Sequence, residues 1–158
     1  MHVPDPLLRQ LLDSWPVAHL TSITPAGRPH VVPIVYCRDG DSLYSPIDGK
    51  TKRGGPLQRE ANINANPTVA LLLDHYDRDW ELLWWVRLDG EATLCQPARD
   101  HAAMLRSSLL DRYQQYRKPG LLPAEPIYLR ITWRQVSGWA QQDLHATLQR
   151  AALSGVTR

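Results

Sequence analysis

Three cations fall within four positions, at Lys50, Lys52 and Arg53, with Gly49 before them and Gly54 and Gly55 after. Lysine offers a compact point charge, and arginine a planar fork that matches phosphate oxygens, so the cluster has the chemistry of an anion site. The segment contains Gly-Lys-Thr, the close of a nucleoside-triphosphate loop. That loop also needs a glycine where this chain has Tyr44. The preceding residues read as the end of a hairpin strand, not of a buried parallel strand, so a nucleotide triphosphatase is rejected. Two readings stay open on the residues alone: a solvated basic turn, or a phosphate site made by a strand end, three cations and the start of a helix.

Other chemistry-bearing residues are sparser. Asp74, His75, Asp77 and Asp79 stand close together, but no second histidine lies at ligand spacing, so solvated loop acids are expected and no metal site. His30 opens a strand and reads as a packing or surface residue. Ser45 has no evident His–Asp partners, so no triad is supported. Trp84 and Trp85 are adjacent in a strand and must point to opposite faces, one to the core and the other either to a pocket or dimer interface or to plain surface packing. Cys37 and Cys95 belong to no C-x-x-C pair and read as buried free thiols, in keeping with a reducing, cytoplasmic compartment. No catalytic acid–base set emerges, so any redox chemistry would belong to a cofactor.

The elements that must position these residues follow from pattern. Leu7, Leu8, Leu11 and Leu12 share one face of a short N-terminal helix. Residues 17–24, 30–37 and 42–46 read as a meander of three strands, turning at Pro25–Gly27 and at Asp39–Gly40. Residues 56–67 read as a short helix and 68–76 as an apolar strand buried on both faces. A long strand over 82–95 is expected to bend near Asp89–Gly90, and a helix over 97–117 and a strand over 127–140 follow. Ile127, Leu129, Ile131 and Trp133 fall on one face of that last strand. The tail is weakly helical. Six strands and three helices with short links make a mainly β fold, a small antiparallel barrel with peripheral helices, in one domain over 1–158.

Composition sets the outer limits. The chain has 158 residues, 43% hydrophobic and 22% charged, which suits one ordered domain with a sizeable core. A net charge of +2 gives no global attraction for nucleic acid, so any anion site is local. Phe is absent, whereas six Trp and six Tyr carry the aromatic volume with a polar handle. The N-terminal stretch has no basic region followed by a long apolar run, so no signal peptide is expected. No apolar run has the length of a membrane span.

The segment from Thr24 through Arg53, followed by "NP-x-VALL", "DHYD-x-DW" and "LWWVR-x-DG", resembles the pyridoxamine 5'-phosphate oxidase-like split-barrel superfamily. Within it, the chain resembles the branch of deazaflavin (coenzyme F-420)-dependent oxidoreductases. The resemblance covers roughly residues 7–140. It implies a six-stranded split barrel, a homodimer with two cofactor sites at its interface, and hydride transfer to an unsaturated small molecule. It also assigns the cofactor phosphate to Lys50, Lys52 and Arg53, the ring and ribityl contacts to Tyr44, Ser45 and Pro46, and backbone or apolar contacts beneath the ring to Val32, Pro33 and Ile34. Where the oxidases carry a glutamine that reaches the flavin, this chain has Trp85, which argues against a true pyridoxamine 5'-phosphate oxidase. The oxidases' C-terminal substrate-binding segment is not recognisable either. F-420 is the favoured cofactor and FMN the alternative. A non-catalytic flavin- or haem-binding protein is the reading from another class.

Overall fold

The structure is a computed structural model that describes residues 3–47 and 57–154. It opens with helix α1 (Asp5–Ser14), entered through Pro4, with a second proline at its start that suits the first turn. Leu7, Leu8, Leu11 and Leu12 are all buried, as their spacing requires. The helix ends at Trp15, and Arg112 caps it from far along the chain. The guanidinium donates to the carbonyl oxygens of Asp13 (2.6 Å) and Trp15, groups that no helical N–H reaches.

The strands are β1 (Ala18–Ile23), β2 (Pro29–Ile34), β3 (Cys37–Asp39), β4 (Ser42–Pro46), β5 (Thr68–His75), β6 (Trp84–Cys95) and β7 (Tyr128–Ala140). All pair antiparallel in one sheet of order β2-β1-β5-β6-β7-β4-β3. The two outermost strands, β2 and β3, are consecutive in sequence and separated only by Val35 and Tyr36. So short a link spans roughly 11 Å at most from Ile34 to Cys37. The sheet must therefore curl until its two edges meet, which makes it a split barrel.

That seam explains why there are seven strands where six are expected. Residues 30–37 do not run as one strand, because the chain breaks at Val35–Tyr36. Tyr36 is fully buried and its hydroxyl donates to the Trp15 carbonyl at 2.8 Å. Its backbone is claimed by the Tyr113 hydroxyl instead of a neighbouring strand: the Tyr36 N–H donates to that oxygen at 3.1 Å, and the Tyr36 carbonyl lies 2.9 Å from it. The hairpin at Gly40 forms as expected, with φ of 55° at the glycine. The bend near Asp89–Gly90 is a register shift, where Asp89 opposes Gln135 and Gly90 opposes Trp133, leaving Arg134 unpaired.

β5 differs from its expectation. Val69, Leu71 and Leu73 are buried, but Ala70 and Leu72 on the other face are only half-buried. The face that Ala70 and Leu72 share with Thr21 and Pro33 is the convex side of the barrel, which no helix of the described residues covers at that end. On β7, Leu129 and Ile131 are buried and Trp133 packs against them, whereas Ile127 lies before the strand and is exposed.

Four helices appear among the described residues, not three. α2 (Gln58–Ala65) closes the barrel mouth, where buried Asn62 donates to Ser22 of β1 at 2.9 Å. α3 (Arg99–Arg112) lies over β3, and its His101 ring reaches Tyr44 of β4. α4 (Leu144–Ser154) is the tail, which packs against α1 and buries Leu144, Leu148, Ala151 and Ala152. Its start is fixed by Asp143, whose carboxylate accepts from the Ala146 N–H at 2.8 Å.

Candidate functional site

The basic residues Lys50, Lys52 and Arg53 lie outside the described residues. The strand that leads to them does not. β4 is buried along its whole length, and alternation divides it. Leu43 joins the barrel interior, whereas Tyr44 points to the opposite face, beneath α3. Ser45 is buried at 2% exposure opposite Leu129, and Pro46 opposite Tyr128.

Around the Tyr44 ring the fold gathers groups that are distant in sequence. The His101 ring lies edge-on at 5.3 Å and the Tyr128 ring edge-on at 6.2 Å. His101 Nε2 sits 3.0 Å from the Asp39 carboxylate, a bond that fixes the ring's orientation. Arg130 Nε donates to the Ser42 hydroxyl at 3.3 Å. Burial pushes the Tyr44 phenol above its ordinary value, and Arg130 opposes that shift. Burial pushes the Tyr128 phenol up to about 12. Its hydroxyl is buried with no hydrogen-bond partner among the described residues. The residues alone did not reveal His101 or Asp39 as neighbours of Tyr44. One belongs to a helix and the other to a hairpin, and only the packing of α3 on β3 joins them.

On β2 the three candidates alternate. Ile34 is buried in the core and Val32 packs against it, so both point inward, while Pro33 is exposed on the convex face. Trp84 and Trp85 divide as their adjacency demands: Trp84 is 2% exposed in the core, and Trp85 is half-buried on the convex face, between Asp74 and Trp139. On the same face His19 Nδ1 lies 3.2 Å from Asp74 Oδ1, and Arg87 Nε donates to Asp89 at 3.1 Å. Val31, at 57% exposure, and Pro33 add apolar surface there.

Tyr44 and Trp85 do not meet within one chain. Tyr44 opposes Arg130, which opposes Thr93 of β6, while Trp85 sits at the other end of that strand. At the ordinary rise per residue that interval is roughly 25 Å. Asp74 pairs with His19, whereas Asp77 and Asp79 are used locally: Asp77 accepts from the Asp79 N–H and Asp79 from the Glu81 N–H. Among the described residues no three metal-binding side chains come together. Cys37 is buried and Cys95 half-buried, both as free thiols. His30 is half-buried, and its Nδ1 has no partner among the described residues.

A family model described as pyridoxamine 5'-phosphate oxidase matches residues 4–142, the whole barrel from α1 to the end of β7. The chain belongs to the pyridoxamine 5'-phosphate oxidase family. No curated protein sequence matches this family member. Solved structures do share its fold. A FAD-binding protein from Mesorhizobium loti is 21% identical, with a TM-score of 0.62 over 86% of this chain and 92% of that one. An F-420 reductase is 23% identical, with a TM-score of 0.60 over 85% and 98%. The haem storage protein of Vibrio cholerae is 12% identical, with a TM-score of 0.65 over 86% and 93%. At these identities the likeness is one of fold. No helix among the described residues of this family member is long and apolar enough to cross a membrane.

Proposed function

We propose that this family member is an oxidoreductase that holds a flavin-type cofactor, F-420 in first place and FMN in second, at the interface of a homodimer. The observation that carries the reading is the separation of Tyr44 from Trp85 on one convex face. One chain supplies the two halves of the proposed cofactor contact at opposite ends of β6, and a second copy is the simplest way to bring them together. The face bearing Val31, Pro33, Trp85 and Trp139 offers apolar surface to such an interface and to a planar ring, beside the His19–Asp74 and Arg87–Asp89 pairs.

On this reading the group is shared among named residues. Lys50, Lys52 and Arg53 would hold its phosphate, by point charge and by paired hydrogen bonds. The backbone of Val32–Ile34 and the segment Tyr44–Pro46 would line the ring and its chain, and Trp85 would wall the ring where the oxidases place an amide. When bound, the cofactor supplies hydride transfer to or from an unsaturated small molecule. The chain binds, orients and excludes water. The Trp85 substitution separates this member from pyridoxamine 5'-phosphate oxidation itself. The fold likeness to a FAD-binding protein and to an F-420 reductase supports the cofactor class.

The test is titration of the purified protein with F-420 and with FMN, followed by absorption and fluorescence, with sedimentation run in parallel. Saturable micromolar binding to a dimer is expected. A monomer indifferent to both cofactors would overturn the reading. The likeness to a haem storage protein favours a second one, a carrier without turnover. A Soret band on haem addition, with no reduction of enones or quinones, would support that instead.

A further inference from the structure

A cavity opens beside the end of α1. Its volume is about 250 Å³ and it is walled by Trp15, Leu82, Trp84 and Ala151, with His75, Thr147 and Arg150 as its polar members. Three separate parts of the chain build it: the end of α1, the β5–β6 connection and the tail helix α4. The Trp15 and Trp84 rings meet at 4.8 Å with an interplanar angle of 72°, and the His75 ring lies edge-on to Trp15 at 6.1 Å. These aromatic walls are fixed, because both tryptophans are at most 9% exposed. Arg150 stands at the exposed rim. Its guanidinium lies 3.5 Å from the hydroxyl of Thr147, and no carboxylate of the described residues pairs with it. A neighbouring cavity of about 300 Å³ shares Trp15 and His75 and adds the His19–Asp74 pair.

We propose that this cavity binds a small planar aromatic carboxylate, with its ring against Trp15 and Trp84 and its carboxylate on Arg150. Size selects the ring. A cavity of ~150 Å³ is enough for benzene, whereas drug-sized ligands take ~300 Å³ or more, so one ring with one acidic group fits and a tricyclic cofactor does not. Charge selects the acid, since the guanidinium at the mouth pairs with no carboxylate of the described residues and its fork geometry matches one. The wall chemistry is aromatic on two sides, which favours an edge-to-face ring over an aliphatic chain. None of these residues is assigned to the cofactor, so the proposal is independent of the cofactor reading.

The probe is benzoate, titrated into the full isotope-labelled chain while the indole N–H resonances of Trp15 and Trp84 are followed; benzamide is the uncharged control. Both indoles should shift saturably with benzoate, and benzamide should bind about 10-fold more weakly or worse. Arg150→Met should weaken benzoate by a similar factor and leave benzamide unchanged, and Arg150→Lys should restore part of the loss. Arg150 is exposed on α4, so these variants are expected to fold, and far-UV circular dichroism checks that they do. Absence of saturable shifts at about 10 mM benzoate, a range where even millimolar binding would register, overturns the proposal. Equal binding of benzoate and benzamide, or an Arg150→Met variant that binds benzoate as before, overturns it as well.

Discussion

The Tyr113 hydroxyl bridges the backbone of Tyr36, accepting from its N–H at 3.1 Å and lying 2.9 Å from its carbonyl. The same oxygen is 2.9 Å from the Pro16 carbonyl. A side chain from the end of α3 thus does at the barrel seam what a neighbouring strand does elsewhere.

Tyr113→Phe should therefore cost about 1–3 kcal/mol, the penalty for leaving buried backbone groups unpaired. Urea denaturation of the two proteins measures it. A loss within the ~0.5 kcal/mol typical of surface changes would mean that the seam finds its hydrogen bonds elsewhere.

Gly90→Ala should be destabilising for a steric reason. A Cβ placed there would sit 1.9 Å from the Thr132 carbonyl oxygen and 2.7 Å from the Trp133 Cα, and both are backbone atoms that cannot swing away. Overpacking of this kind costs about 1–3 kcal/mol. The midpoint of thermal unfolding should drop accordingly, and an unchanged midpoint would refute the close approach of β6 and β7 at the bulge.

Stability should fall in alkali. Burial raises the Cys37 thiol from 9.0 to about 12, with nearby Arg112 opposing the shift. The unfolded thiol releases its proton first, so the contribution is fully present below pH 9 and is lost as the pH rises toward 12. The buried phenols of Tyr36 and Tyr128, both shifted upward by desolvation, act in the same direction. Each such group contributes a slope of about 1.4 kcal/mol per pH unit within its window. Denaturation midpoints from pH 8 to 11 test this, and Cys37→Ala should flatten the profile. A flat profile in the parent protein would contradict it.

Arg53→Ala and Lys52→Ala should each weaken cofactor binding roughly 10- to 100-fold, the range of a lost charge-assisted hydrogen bond, with no change in unfolding. Trp85→Ala should weaken binding and dimerisation together, because the proposed ring wall and the proposed interface share its face. Titration and sedimentation of the same variant separate the cases: a dimer that persists with full affinity would remove Trp85 from the site.

Much of the architecture was legible because local chemistry dictates it. Four leucines at helical spacing define α1, Gly40 turns the hairpin, and Gly90 marks the one place where β6 and β7 slip. The break at Val35–Tyr36 was not legible. Pro33 sits within β2 without ending it, and the break two residues later coincides with a tyrosine far along the chain that takes the Tyr36 backbone. α4 was underestimated because its polar residues dilute the pattern, although Leu144, Leu148 and Ala151 keep helical spacing. Of the candidate site, the division of Trp84 from Trp85 followed from their adjacency. The distance from Tyr44 to Trp85 did not, since it depends on strand order. The meeting of His101 with Asp39 is likewise tertiary.

The strand order also bears on how the chain is made. β4 pairs with β7, the last strand of this sheet in chain order. A ribosome adding ~5–20 residues per second needs several seconds to bridge the roughly 80 residues between them. Throughout that interval the hairpin of β3 and β4 exposes one complete edge, with Leu43 and Tyr44 still lacking their cover. The nascent chain thus carries an apolar edge open to chaperones, or to another copy of itself, until Tyr128–Thr132 emerges to close it.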